Sequence, residues 1–395
     1  MSALPRWGSC RRPPAAAAAA LALLATLSAT GSADGAPADC VLLLSALDDE
    51  GRTVFQSIAH ALEEPGLFVT AGSALARVRG LRLRVRADSV PPVASGAPEV
   101  PSGYEVAGLV GLDAGRALAV LRSPGLPGCR PPAVADAGDA GDALVGIRPR
   151  NGFRPRLFEV FLKRRVEAPD GNELMLMRVP DGGGAESGFV LDPAGRLVGL
   201  FLPPPAGSDG GLACAVRVEE PAAAPAGAPA HPPLRPLDDA PEAAAFASGP
   251  AGLLAQALLL TRDDQAARAI GLLDRVIAGG APTAPVLSER GVLAFRIGRT
   301  DAAIRDLARA AALDPASSLA PFNLGVALGS EGRYAEAAGA FTRALEIRPD
   351  LHRARFHLAL ALKAAGRGEQ ALMEYARLLP LDPALASQLR PVLAP

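Results

Sequence analysis

The feature that most constrains this chain is a 34-residue period that recurs three times between Ala284 and Leu385. Gly291, Gly325 and Ala359 mark it, since 325 − 291 = 34 and 359 − 325 = 34. A chain that repeats its small, turn and closing residues in one register indicates a stack of similar units. Four further series keep the same interval: Gly298, Gly332 and Gly366; Ala303, Ala337 and Ala371; Leu307, Phe341 and Tyr375; Pro315, Pro349 and Pro383.

Each residue series has a physical role in a pair of antiparallel helices. Small residues at the eighth and twentieth positions of the unit allow the two helices to approach closely. Gly298 and its equivalents supply the turn, where a positive φ costs glycine little. The residue before each closing proline, such as Asp314, is pushed out of the α region, which ends the second helix. The period therefore predicts three helix–turn–helix units.

This pattern resembles the tetratricopeptide repeat, TPR. The resemblance implies an all-α TPR solenoid with repeats at 284–317, 318–351 and 352–385 and a C-terminal tail at 386–395. The residues after Pro383 are enough for a short helix broken by Pro391, and Pro380 is expected to interrupt the second helix of the last repeat. Residues 250–283 keep the register imperfectly, with Asp264 in place of the turn glycine, and are expected to form a degenerate first repeat. A degenerate terminal repeat fits a cap that faces water on one side.

The N-terminal segment 1–38 has the organisation of a secretory signal peptide. Arg6, Arg11 and Arg12 precede an apolar run, and small residues suited to cleavage follow it. The run is short for a membrane span, which needs ~20 apolar residues. The sequence predicts an exported protein, periplasmic or extracellular; an uncleaved N-terminal anchor is the alternative.

Composition excludes several classes of function. The formal net charge is −1 with mixed signs along the chain, so no nucleic-acid partner is expected. Cys40, Cys129 and Cys214 remain after the signal, which allows one disulfide at most and no zinc-like pairing. No P-loop, dinucleotide fingerprint or paired metal ligands are visible, so neither a cofactor nor a metal is expected. The bias toward Ala, Gly, Pro and Arg, with few Lys, is typical of a bacterial genome rich in G and C.

Residues 39–220 alternate short apolar runs with Gly, Pro and Asp. About a dozen short strands at this spacing predict an all-β barrel or sandwich. Residues 221–249 form a Pro/Ala-rich linker, expected to be extended polyproline II. The predicted strands are Val41–Ser45, Thr53–Ala59, Leu67–Thr70, Leu81–Ala87, Tyr104–Leu112, Ala117–Arg122, Leu144–Arg148, Leu157–Arg165, Glu173–Val179, Phe189–Leu191, Arg196–Leu202 and Leu212–Val218.

Four strings in this region resemble a trypsin-like serine protease of the periplasmic HtrA type. They are Gly66–Leu75 for the strand and helix that carry the catalytic His, Arg116–Leu121 for the strand of the Asp, Ala185–Leu200 for the nucleophile loop and the strand pair after it, and Leu212–Val218 for the closing strand. The resemblance implies a multidomain β + α chain, with a trypsin-like double β-barrel ahead of the TPR solenoid. The alternative is another β-barrel, including one that binds a small ligand.

On this resemblance the catalytic triad is incomplete. Ser73 occupies the position of the His, Ala117 that of the Asp, and only the nucleophile position keeps its residue, as Ser187. A serine hydroxyl without a base is a very weak nucleophile at neutral pH. His60 is not expected to be a relocated base. We therefore expect no catalytic residues and a pseudoprotease domain. The alternative is a divergent trypsin-like serine endopeptidase that uses Ser187 and recruits substrate through its TPRs.

The first helices of a TPR array line a concave groove. An extended or helical peptide with apolar anchors is the natural ligand of such a face, so a protein or peptide partner is expected. In the alternative, these residues pack against the preceding repeat and bind nothing. The predicted groove residues are Ser288, Val292, Phe295, Leu319, Phe322, Asn323, Val326, Phe356, Leu360 and Lys363.

Overall fold

The structure is a computed structural model. Its described part divides between two compact units, one holding the β-strands and the other running from Leu253 to the C-terminal region. The predicted signal peptide at 1–38, residues 221–247 of the predicted linker, and Cys40 and Cys129 lie outside the described residues. The structure describes residues 41–61, 67–71, 82–86, 104–106, 108–113, 118–124, 143–148, 156–180, 188–192, 197–208, 210–218, 248–260, 262–280 and 282–393.

Seven antiparallel strands form the first sheet, in the order β5-β4-β1-β2-β3-β7-β6. Leu44 of β1 and Phe68 of β3 are among its fully buried side chains. The strands are β1 (Val41–Leu47), β2 (Thr53–Ala61), β3 (Leu67–Ala71), β4 (Arg82–Arg86), β5 (Tyr104–Glu105), β6 (Gly108–Asp113) and β7 (Leu118–Arg122).

Six antiparallel strands close the second sheet into a barrel, in the order β10-β13-β12-β11-β8-β9. Its core is aliphatic and aromatic, and the Phe158 and Phe201 rings stack with centroids 5.7 Å apart. Gly146 lies against the Phe158 ring, where a Cβ atom would be 2.5 Å from Cζ, so the core excludes any larger residue there. The strands are β8 (Ala143–Arg148), β9 (Arg156–Glu167), β10 (Glu173–Arg178), β11 (Phe189–Leu191), β12 (Leu197–Leu202) and β13 (Leu212–Arg217).

The two sheets share one strand order. When the barrel strands are numbered one to six along the chain, they neighbour one another as 1-2-3-6-5-4 around the barrel. The first sheet has this same order if β5 and β6 are taken as two segments of its fifth strand. The sequence predicts that strand as continuous over Tyr104–Leu112, which is wrong. The structure has two strands there, β5 paired with β4 and β6 paired with β7. The other eleven predicted strands each coincide with one strand of the structure.

The C-terminal unit is helical. After helix α1 and a short 3-10 turn at Asp263–Gln265, the helices follow one another in the pairs that the period predicts. The helices are α1 (Pro250–Leu259), α2 (Ala266–Ala278), α3 (Ala284–Arg296), α4 (Thr300–Leu313), α5 (Leu319–Ser330), α6 (Tyr334–Ile347), α7 (His352–Ala364), α8 (Gly368–Leu378) and α9 (Pro383–Leu393).

The repeated residues perform the packing roles expected of them. A Cβ atom at Gly325 would be 2.7 Å from Cε1 of Phe341, which shows how closely α5 approaches α6. Gly298, Gly332 and Gly366 have φ values of 77°, 74° and 78°, which glycine adopts readily between paired helices. Arg348 has φ −133° and ψ 93°, the extended backbone that a following proline imposes.

Helix α9 departs from the sequence prediction of a short helix broken by Pro391. The helix continues through Pro391 to Leu393. Leu389 and Leu393 are buried, and their packing holds the last turn in place despite the hydrogen bond that proline removes. The predicted interruption near Pro380 is present, since α8 ends at Leu378.

The close approach of α5 and α6 predicts the effect of substitution at Gly325. Gly325→Val should lower the free energy of unfolding by about 1–3 kcal/mol, because the added carbons overlap the Phe341 ring. Gly339→Ala is the matched control, since a Cβ atom there meets nothing within 4 Å. The control should be stabilising by roughly 0.5–1 kcal/mol, because alanine favours helix. Denaturant unfolding followed by helical circular dichroism measures both; equal effects would contradict the packing role of Gly325.

Candidate functional site

All ten predicted groove residues lie on α3, α5 and α7, the first helices of the three repeats. On α7 the residues Arg353, Phe356, Leu360 and Lys363 follow at spacings of three, four and three, which places them on one face of the helix. The structure thus brings apolar side chains into one stripe per helix, and on α7 a cation lies at each end of the stripe.

Most of the predicted groove side chains are half-buried. Leu319 is 50% exposed and Lys363 is also exposed, so these two project furthest into solvent. The half-buried residues keep part of their apolar surface open while contacting their own or a neighbouring repeat. They are Ser288, Val292, Phe295, Phe322, Asn323, Val326, Phe356 and Leu360.

An aromatic cluster centred on His357 joins the groove to the core. The His357 ring stacks on Phe341, with centroids 5.6 Å apart and planes 20° apart. It also packs edge-to-face with the rings of Phe322 and Phe356, with centroids 5.8 Å and 5.3 Å away. Sequence reasoning treated His357 as a lone helix residue and missed the cluster. Its only signal was the pair Phe356-His357 in a stripe of groove residues.

His357 is held mainly as neutral imidazole. Burial among the three rings lowers its pKa from the ordinary value of 6.5, and the positive charge of Arg353 on the preceding turn lowers it further. A neutral ring is compatible with the aromatic stack, whereas an imidazolium there would lose hydration without gaining a carboxylate partner. The His357 ring beside the predicted groove residues is therefore uncharged at neutral pH.

Two ion-pair clusters link helices on the other faces of the array. Arg290 of α3 donates two hydrogen bonds to Asp306 of α4, at 2.8 and 2.7 Å, and one to Asp274 of α2 at 2.7 Å. Glu374 of α8 is buried and accepts bonds from Arg355 at 2.8 Å and from Arg377. Sequence reasoning missed both clusters.

The signal for the Arg290 cluster was a deviation between repeats. Arg290 occupies the position that holds Leu324 and Leu358 in the next two repeats, since 324 − 290 = 34 and 358 − 324 = 34. A charge at a position that is otherwise apolar indicates a local ion pair. The carboxylates raise the pKa of the Arg290 guanidinium above its usual value, chiefly through the hydrogen bonds that Arg290 donates to Asp306, so it stays charged.

The three triad positions, Ser73, Ala117 and Ser187, lie outside the described residues. Gly188, the residue after Ser187, is described. It has φ 143°, and its carbonyl accepts a hydrogen bond of 2.9 Å from the Phe201 amide. His60 lies in β2, where its backbone is opposite Val41 and Val69.

Cys214 of β13 is a free, buried thiol. Burial raises its pKa to about 12, so it stays protonated and unreactive at neutral pH. Among the described residues, no three His, Cys, Asp or Glu side chains are grouped as a metal ion would require. None of the described helices is both long and apolar enough to cross a membrane.

Comparison with solved structures finds matches to several proteins. One is the "Crystal structure of MamA protein", at 24% identity, covering 37% of this chain and 80% of that chain with a TM-score of 0.34. Another is YrrB, described as "a TPR protein with an unusual peptide-binding site", at 18% identity, 38% and 78% coverage and a TM-score of 0.35. A third is the first TPR of Spaghetti (RPAP3) bound to an HSP90 peptide, at 26% identity, 28% and 90% coverage and a TM-score of 0.27.

Family models are more specific about the C-terminal region. Two models, each described as "Tetratricopeptide repeat", match residues 288–352 and 330–393. A search of the curated proteins finds no match to the chain. The C-terminal region therefore contains tetratricopeptide repeats, which confirms the interpretation of the 34-residue period.

The environment of His357 predicts a pH dependence. Because its pKa is lowered in the folded state, its contribution to stability is fully present above the unfolded pKa of about 6.5. That contribution is lost as pH falls below about 6.5 toward the folded pKa, since the unfolded chain then binds the proton more readily. An NMR titration of the imidazole resonance should give a pKa below 6.5. His357→Gln identifies the resonance and should flatten the decline in stability as pH falls below about 6.5. A pKa above 6.5 would contradict the stacked, neutral assignment.

Proposed function

We propose that this protein is an exported interaction scaffold whose TPR groove binds a peptide or protein partner, and whose N-terminal unit is a catalytically inactive, trypsin-like domain. The observation that carries the proposal is the stripe of half-buried apolar side chains on α3, α5 and α7. Apolar side chains that are half-open along three successive first helices favour a ligand that completes their burial. Export is supported by the composition of residues 1–38.

The chemistry of the groove favours a particular kind of peptide. Val326, Phe356 and Leu360 offer apolar contact, and the exposed Arg353 and Lys363 lie at the two ends of the α7 stripe. Ten residues of helix place these cations ~15 Å apart along α7. A segment with apolar anchors and a flanking carboxylate matches this arrangement in both shape and charge.

The trypsin-like proposal for the N-terminal unit is supported by its topology. Two successive sheets of one strand order, the second closed into a barrel, support a double β-barrel. The strings that resemble the family fall at consistent places, with Arg116–Leu121 leading into β7 and Ala185–Gly188 leading into β11. Inactivity is proposed because Ser73 and Ala117 stand where the resemblance requires a base and its orienting acid.

Leu319 offers the cleanest test of the groove. Leu319→Glu places a charge on the proposed face and should reduce partner capture from the exported fraction by roughly tenfold or more, because a buried leucine anchor contributes ~1.5–3 kcal/mol. Leu313→Glu is the matched control, since Leu313 is 52% exposed and lies on the second helix α4. Capture by the full-length protein is compared by quantitative pull-down. Equal capture by both variants would refute the groove assignment.

Phe322 and Phe356 are less suitable positions for this test. Phe322 contacts Phe341 and His357 within the core cluster, so a charge there would disturb packing as well as binding. Loss of capture in such a variant could result from disturbed packing or from a lost contact with the partner. Leu319 is not part of the core cluster, so this ambiguity does not arise there.

Ser187 decides between the inactive domain and the alternative of a divergent serine endopeptidase. A fluorophosphonate probe should fail to label the full-length protein, because labelling requires an activated hydroxyl. Ser187→Ala is the control for background labelling. Labelling of the wild type that disappears in Ser187→Ala would overturn the proposal and favour the peptidase.

A further inference from the structure

A pocket lies on the opposite side of α3 from the predicted groove residues. It has a volume of about 250 Å³ and is lined by α2, α3 and α4. Arg290 and Ala294 form its α3 wall. Because each helical residue turns ~100°, Arg290 is rotated by ~200° from Ser288 on the groove face. The pocket is therefore separate from the proposed peptide site.

Arg290 is a fixed part of the pocket floor. Its side chain is only 24% exposed, and its guanidinium is bonded to both Asp306 and Asp274. Planar, bidentate pairing of this kind holds a side chain in one orientation and occupies its donors. The two carboxylates that line the pocket are thus already engaged by Arg290.

Two further guanidinium groups line the same pocket, those of Arg299 and Arg305. Both are exposed, and no ion pair to either one is found in the part of the chain that the structure describes. With Arg290, Asp274 and Asp306, the lining has three guanidinium groups and two carboxylates, one net positive charge. A single additional carboxylate would neutralise it.

The next repeat shows what such an arginine binds. Arg333 is the equivalent of Arg299, since 333 − 299 = 34, and it donates two hydrogen bonds of 2.7 Å to the carboxylate of Glu336. The equivalent of Glu336 is Ala302, since 336 − 302 = 34. The repeat at 318–351 therefore carries its own carboxylate, whereas the repeat at 284–317 has a methyl group, that of Ala302, lining the pocket with Arg299.

We propose that this pocket binds the carboxylate of an external ligand, which takes the place that Glu336 has in the following repeat. Arg299 and Arg305 supply the donors. Ile270, Ala294 and Ala302 supply an apolar wall for a short carbon chain. The pocket is small relative to drug-sized sites of ~300–1,000 Å³, so the ligand is a short-chain carboxylic acid or a single acidic side chain of a peptide.

Calorimetric titration of the full-length protein with butyrate tests the proposal. The titration is done at low ionic strength, where charge–charge contacts are least screened. Butyramide, the neutral isostere, should not bind. A blocked peptide with one central Glu, compared with its Gln counterpart, distinguishes a peptide source from a free acid. We expect butyrate or the Glu peptide to bind, and neither neutral partner to do so.

Ala302→Glu is the decisive variant. It supplies from the chain the carboxylate that the repeat at 318–351 already has in Glu336, so it should fill the pocket and weaken butyrate or Glu-peptide binding by about tenfold or more. Arg305→Ala should weaken it similarly. Ala312→Glu is the matched control, because it adds the same charge at an exposed position of α4 outside the pocket.

The outcomes are distinct. Binding that is lost in Ala302→Glu and kept in Ala312→Glu supports the site. If neither carboxylate probe binds, or if both Ala→Glu variants lose binding equally, the proposal is overturned. Circular dichroism confirms that each variant is folded. Because Leu319 is on α5 and does not line the pocket, failure here leaves the groove test unaffected.

Discussion

The helical unit depends on how closely the two helices of each repeat approach. Gly325 has no side chain because Phe341 fills that space, and Gly291 is related in the same way to Leu307. This contact fixes which face of each first helix turns inward toward its partner. The remaining face, which carries Val326 and its equivalents, is left for the groove. A surface that could bind a partner is thus a geometric consequence of the small residue at the eighth position.

Much of this fold could be predicted because the decisive interactions are local or periodic. The run Phe189–Leu191 was identified as a strand with its correct bounds, and the helices follow the 34-residue register. What could not be predicted depends on tertiary contact. The break between β5 and β6 reflects pairing with two different neighbours, and Pro391 is tolerated only because Leu393 packs against the array. Neither contact leaves a trace in the local pattern.

The groove was predicted as a set of positions, but the roles of its members differ. Leu319 is open to solvent, whereas Phe322 belongs partly to the core through Phe341 and His357. A residue number within the repeat therefore gives the face of the helix but not the depth of the side chain. How deeply the Phe322 side chain is buried depends on the ring that packs against it, here the imidazole of His357. The 34-residue period does not predict that contact. The triad positions at Ser73, Ala117 and Ser187 remain predictions from sequence resemblance.

Differences between repeats carry information that the shared pattern does not. Arg299 and Arg333 occupy one position, yet only Arg333 has a carboxylate three residues later in its own helix. Arg290 occupies a position that is apolar in the next two repeats, and it donates hydrogen bonds to Asp306 and Asp274. These bonds hold the Arg290 side chain in place in the pocket that Arg299 also lines. Arg299 and Arg333 have similar backbone torsion angles, φ −87° and ψ 60° against φ −80° and ψ 56°, so the different pairing of their guanidinium groups follows from the residue three positions later. A repeat array thus provides its own reference: a side chain that is paired in one repeat and unpaired at the equivalent position of another is a candidate contact for a ligand.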